Sequence, residues 1–238
     1  MSRDNEMRFE YDEENNAYLE SGTVSSFISQ SLMWMAGGLF ITGAVAFFTS
    51  RSEFMLSLIF SPLFVVLIAV KFILVFGISS RISSMSTGSA KLLYITYAVL
   101  NGFIFSSLFF EDVDLLITAL GFTTLGFTVM SVYGYTTRSD LSKLRHILMA
   151  GLIFLIFALI LQLIFRMEEA EFIIGCIGAL LFMAFVAYDI QKLKRIAKRS
   201  SGADLNKYAV IGALELYLDF LNLFLYILRI LKSNSKKK

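Results

Sequence analysis

The sequence predicts an all-α membrane protein of seven transmembrane helices, and three features carry that prediction. Apolar side chains make up 57% of the 238 residues, 24 of them Phe, which is more oily surface than a water-soluble domain of this size buries. These side chains gather in runs of about 20, the length a helix needs to cross hydrocarbon while satisfying its own backbone hydrogen bonds. The runs are continuous and do not alternate with period two, which argues against a β-barrel.

The predicted spans are 27–49, 54–78, 92–110, 115–135, 146–165, 172–191 and 208–231. The first holds Gln30 and the glycines at 37, 38 and 43; the second is bounded by Arg51 and Arg81 and carries Lys71 near mid-depth. Asn101 is the polar residue of the third, and Gly121, Gly126 and Gly134 offer the fourth close helix contacts. The fifth opens at His146, the sole histidine, and contains Gln162. The sixth holds Gly175, Gly178 and the single cysteine, Cys176, so no intrachain disulfide forms; its helix is expected to continue through the basic KLKRIAKR segment. Gln30, Asn101, Gln162 and Asn222 read as interhelical hydrogen-bonding groups.

Short connections make residues 27–231 one transmembrane domain, preceded by an acidic tail, 1–26, and followed by a basic one, 232–238. The N-terminal tail has seven acidic and two basic residues, the reverse of a signal peptide's cationic start, and is predicted to be solvated and poorly ordered. The loops after spans two, four and six carry eleven Lys and Arg, those on the other side only Arg51 and Arg166, so the N-terminus is predicted to be cytoplasmic. A full seventh crossing, the preferred account, carries the C-terminus to the far side against the pull of its KSNSKKK end; the alternative is a last segment that enters the bundle and returns.

Ionisable groups within the bilayer cost at least ~2.5–3.5 kcal/mol each, so the four found here, Lys71, Asp189, Glu215 and Asp219, ask for a reason. In the seventh span Glu215, Asp219, Asn222, Tyr226 and Arg229 fall within a sector of about 80° at ~100° per residue, and such a polar face must look into the bundle or onto a water-filled path. Counted from the hairpin tip at Ser201 and Gly202, Asp189 and Asp219 differ in depth by about 6 Å of helix rise, one turn, which tilt and side-chain reach can close. Two carboxyls paired in a low-dielectric site would not both ionise near neutral pH; the proton would belong to the pair. Such a site senses pH and draws hard cations such as calcium. The competing reading leaves Asp189 at the interface among nearby lysines. Lys71 and Arg81 are candidate counter-ions, or snorkel to the interface.

No nucleotide, haem or zinc motif is present, no cofactor is expected, and the basic 192–199 segment reads as topology and lipid contact in place of nucleic-acid binding. An intramembrane aspartyl protease would also set a Tyr-Asp pair against a second Asp. Here that second Asp sits in LYLDF without the glycines of that chemistry, and Pro62 is the only proline, so a non-enzymatic role is expected.

Tyr188 and Asp189 in LLFMAFVAYDIQKLKR, with LYLDFLNLFLYILRIL around Asp219, resemble the Bax inhibitor-1 family, also called the transmembrane BAX inhibitor motif family, most closely its bacterial branch. That resemblance implies six helices wrapped around a central seventh, and a pH-sensitive calcium leak channel in the cell (inner) membrane gated by Asp189 and Asp219. It further implies a latch for one aspartate, with Arg81 the nearest match. Tyr188, Glu215, Asn222 and Tyr226 would line the site. Lys71 stands where close bacterial relatives have an acidic residue, and Glu215 where a small or neutral one is common. Some bacterial relatives are associated with a membrane-bound AAA protease, which makes a regulatory, non-conducting protein the alternative. Deleting residues 1–26 separates the two: partner capture should vanish while ion flux survives.

Overall fold

A computed structural model describes residues 3–53, 57, 61–62, 64, 66–67, 70–71, 85–165, 167, 169–199 and 203–235. Every regular element among them is helical: α1 (Arg3–Ser50), α2 (Thr87–Phe105), α3 (Val113–Thr136), α4 (Arg145–Phe165), α5 (Ala170–Arg199) and α6 (Ala203–Ser235). A 3-10 turn, Ser106–Phe110, extends α2, and another, Leu141–Leu144, leads into α4. Six of these helices are long and apolar enough to cross a membrane. The predicted second span, 54–78, lies mostly outside the described residues, though residues 57, 64, 66, 67, 70 and 71 are helical; Arg81 and the hairpin tip at Ser201 and Gly202 lie wholly outside them.

Helices begin where the sequence supplies caps. Ser86 Oγ accepts the Ser89 amide at 3.1 Å, Asp112 accepts the Asp114 amide at 2.9 Å, and Asp140 accepts the Ser142 amide at 3.0 Å. Each bond satisfies an amide that a helix start leaves without a partner. Two elements are longer than the apolar pattern predicts: α1 runs upstream through the acidic segment to Arg3, and α6 extends past 231 to Ser235. The expected continuation of the sixth predicted span through KLKRIAKR is present, as α5 runs to Arg199.

The helices differ in what they face. On α4 only 11% of the spanning window is buried, and Ile153, Phe154, Leu163 and Ile164 are exposed, as suits a helix against lipid tails. On α6 the buried share is 67%, the highest of the six, and α6 packs against α5, α1, α3 and α2.

Between α1, α2 and α6 lies a buried aromatic and polar cluster. The Tyr217 ring meets those of Tyr94 and Tyr97 edge-on, with centroids 5.8 and 6.1 Å away. Thr42 gives its one hydroxyl proton to the Ala98 carbonyl at 3.0 Å, so the Tyr217 hydroxyl donates to Thr42 Oγ1 at 2.6 Å. Tyr217→Phe keeps the packing and removes that bond. It should cost about 1 kcal/mol, seen as a lower unfolding temperature in detergent.

Candidate functional site

The site grows from the α5–α6 hairpin. Gly178, Phe182, Asp189 and Lys192 recur at helical spacing and so share one face of α5. That face receives the polar stripe of α6. Tyr226 stacks on Phe182, with centroids 5.6 Å apart and planes 19° from parallel, and lies over Gly178, where an added Cβ would come within 2.5 Å of its ring carbons. Glycine at 178 is what lets the ring seat there. This register fixes the depth of everything beyond it: Asp189 comes level with Asp219, and Lys192 with Glu215.

Asp189 is 7% exposed and Asp219 5%. Their side chains face each other closely enough for a carboxyl–carboxylate hydrogen bond. Asp189 is therefore buried between helices of the bundle, with the charge of Lys192 close by. Asp219 Oδ2 is buried with no hydrogen-bond partner among the described residues. One turn along, Lys192 Nζ meets Glu215 Oε1 at 2.6 Å, with about a third of each side chain exposed. Three carboxyls and one ammonium thus occupy two successive layers between the same two helices, with the ammonium electrostatically close to both aspartates.

The other predicted site residues are distributed as follows. Lys71 Nζ lies 6.0 Å from the Tyr97 ring centroid and 5.9 Å from that of Phe105, so it faces α2 aromatics. Tyr188 is half-buried on α5, near Lys192. Asn222 donates to the Leu218 carbonyl of its own helix at 2.8 Å; Asn101 donates to the Tyr97 carbonyl of its own helix at 2.9 Å and also lies within hydrogen-bond reach of the Tyr217 hydroxyl on α6. Gln30 and Gln162 do reach across: Gln30 donates to Asn206 at 3.1 Å, and Gln162 accepts from Arg229 at 2.6 Å. Along the stripe, α5 meets Glu215, Asp219 and Tyr226, and α4 reaches Arg229 through Gln162.

Lys192 is one of the lysines beside Asp189 in the competing reading, but its pairing with Glu215 was not anticipated, the counter-ions proposed having been Lys71 and Arg81. The available signal was local: Lys192 is three residues beyond Asp189 and Glu215 four before Asp219, so a hairpin that pairs the aspartates also pairs these two. Lys192→Met would leave Glu215 without its ammonium beside two further carboxyls. We expect a destabilisation of about 1–2 kcal/mol, between exposed and buried pairs, and its recovery in Lys192→Met/Glu215→Met; thermal unfolding of the two variants in detergent checks this.

Comparison with known proteins shows the family. The family model described as inhibitor of apoptosis-promoting Bax1 matches residues 24–236. An uncharacterized protein of Borreliella burgdorferi is 35% identical over 212 residues, 87% of this chain and 91% of the relative. The inner membrane protein YbhL of Escherichia coli K12 is 35% identical over 213 residues, with the same coverage of 87% and 91%. An uncharacterized protein of Deinococcus radiodurans is 34% identical over 209 residues, 87% of this chain and 90% of the relative.

Proposed function

The chain belongs to the Bax inhibitor-1 family and is an integral multi-pass membrane protein, and we propose that it is a proton-sensitive cation leak, with calcium as cargo, gated by Asp189 and Asp219. One observation supports this reading above the rest: two buried carboxyls face each other, and Asp219 Oδ2 has no hydrogen-bond partner among the described residues. A buried carboxyl oxygen without a donor is costly to keep, and a proton shared with Asp189, a water molecule or a passing cation relieves it.

With a shared proton, one carboxyl donates to the other and holds α5 against α6. Without it, two charges face each other in a low-dielectric site, and their repulsion drives the helices apart along the polar stripe of α6. The Lys192–Glu215 bridge spans the same two helices, so parting them also opens this bridge. Calcium takes six to eight oxygen ligands. Among the described residues no group of three or more His, Cys, Asp and Glu is placed to hold a metal. A calcium ion at the pair would keep most of its water, as suits cargo in transit.

The seven-helix arrangement around α6 belongs to this proposal, with the second helix over 54–78. So does placement in the inner membrane, the location in the name of YbhL, with the N-terminus cytoplasmic by the Lys and Arg bias of the loops. The test is calcium flux from loaded liposomes carrying the purified full chain. Flux above empty liposomes that changes across about pH 5–8, a range spanning the titration of carboxyls displaced by burial, supports the proposal. No flux at any pH in that range contradicts it.

A further inference from the structure

The charged groups between α5 and α6 sit in layers of different access. Asp189 and Asp219 are 7% and 5% exposed, whereas about a third of the Lys192 and Glu215 side chains is open. Lys192 lies three residues beyond Asp189, toward the basic end of α5, and Glu215 four before Asp219, so the bridge stands on the basic-end side of the buried pair. A cation approaching the aspartates from that end meets the bridge first.

The bridge is held in register from both sides. Beyond the aspartates Tyr226 stacks on Phe182, and toward the hairpin tip Leu193 presses on Gly212, where an added Cβ would lie 3.1 Å from Leu193 Cδ1 and closer still to Cδ2. The next cations of α5 are turned to other partners: Lys194 donates to the Tyr135 carbonyl at 3.0 Å, and Arg195 meets Gln191 at 2.7 Å and Asp140 at 3.6 Å. Lys192 is thus the ammonium whose charge reaches Glu215 and both aspartates. Asp219 Oδ2, buried and without a hydrogen-bond partner among the described residues, is the oxygen left for a ligand.

We propose that Lys192 is a tethered cation that sets the valence preference of the aspartate site, a role that rests on the reading of Asp189 and Asp219 as a cation site. While bridged, Glu215 is neutralised. Without the ammonium, an unbalanced carboxylate stands one helical turn, about 6 Å, from the pair. Its attraction scales with the charge of the bound ion. Even at the dielectric of water it strengthens binding of a divalent ion about tenfold and of a monovalent ion about threefold.

The test is equilibrium dialysis of the full chain in nonionic detergent against radioactive calcium and, separately, rubidium, at one fixed pH. Lys192→Met should bind calcium about tenfold and rubidium about threefold more tightly than wild type. Lys192→Arg keeps the charge and should restore the wild-type affinities. Glu215→Gln leaves the ammonium unbalanced and should weaken the two ions by the same two factors, so the proposal stays open to refutation even if Lys192→Met does not fold. Equal shifts for the two ions, the same shift in Lys192→Arg as in Lys192→Met, no shift in Glu215→Gln, or no calcium retained by the wild type overturns the assignment. Liposome flux of the same proteins separates it from the leak. Shifted binding without flux in any sample contradicts the leak alone, and pH-dependent flux with unshifted binding contradicts the role of Lys192 alone.

Discussion

Gly134→Leu is expected to abolish the folded protein. At Gly134, α3 crosses α5 so closely that an added Cβ would lie 2.8 Å from Ala187 Cα and 2.9 Å from its carbonyl carbon, with the carbonyl oxygen nearer still. These are backbone atoms in the middle of a helix and cannot swing aside as a side chain can. Any side chain at 134 therefore pushes α3 off α5, two residues before Asp189. Overpacking by a single methyl typically costs about 1–3 kcal/mol, and leucine should exceed the ~4–5 kcal/mol at which single substitutions become exceptional. Gly121→Leu is the comparison on the same helix, since no described residue lies within 4 Å of a Cβ there and leucine is the better helix former. Size-exclusion profiles and unfolding temperatures in detergent should separate the two sharply. Equal behaviour would mean that α3 and α5 do not meet in this way.

Asp219→Asn is expected to leave a folded protein whose flux no longer changes with pH. Asparagine fills the same volume, and its amide supplies permanently the donor that a shared proton supplies reversibly to Asp189. The doubly charged state is then out of reach, because residue 219 carries no charge at any pH. Asp219→Glu keeps the ionisable group and should retain a pH response with a displaced midpoint. Both variants, measured for calcium flux in liposomes across about pH 5–8, separate loss of titration from loss of fold. A wild-type pH response in Asp219→Asn would place the titrating group elsewhere.

How much of this was readable in the sequence depends on the distance over which each feature is determined. Helix number and approximate bounds among the described residues follow from continuous apolar runs, and the depth match of Asp189 with Asp219 followed from counting along one hairpin. Its actual register is tighter than a one-turn offset, because Tyr226 seated over Gly178 levels the two carboxyls. The burial of Asp189 was not readable: its position beside KLKRIAKR fits an interfacial residue equally well until the packing of α3 and α6 around it is known.

The Tyr94, Tyr97 and Tyr217 cluster was likewise invisible, since the hydroxyl partner of Tyr217 is Thr42, 175 residues away. Gly38, Gly134, Gly175 and Gly178 do serve close approaches, as the expectation for helix glycines requires. Gly37, Gly43 and Gly121 have no described neighbour within 4 Å of a Cβ, and composition alone cannot separate the two groups. Asn222 turned back onto its own helix because the i−4 carbonyl is always within reach, an option that a search for partners across helices passes over.

The central claim is that Asp189 and Asp219 titrate as one unit and that this unit sets the flux. A double-mutant cycle on the pH dependence of calcium flux tests it most directly, with wild type, Asp189→Asn, Asp219→Asn and the double variant in the same liposomes. A shared proton predicts that each single substitution removes the pH response in full and that the double variant behaves like either one. Two partial losses that add to the loss in the double variant would show two independent carboxyls and contradict the account.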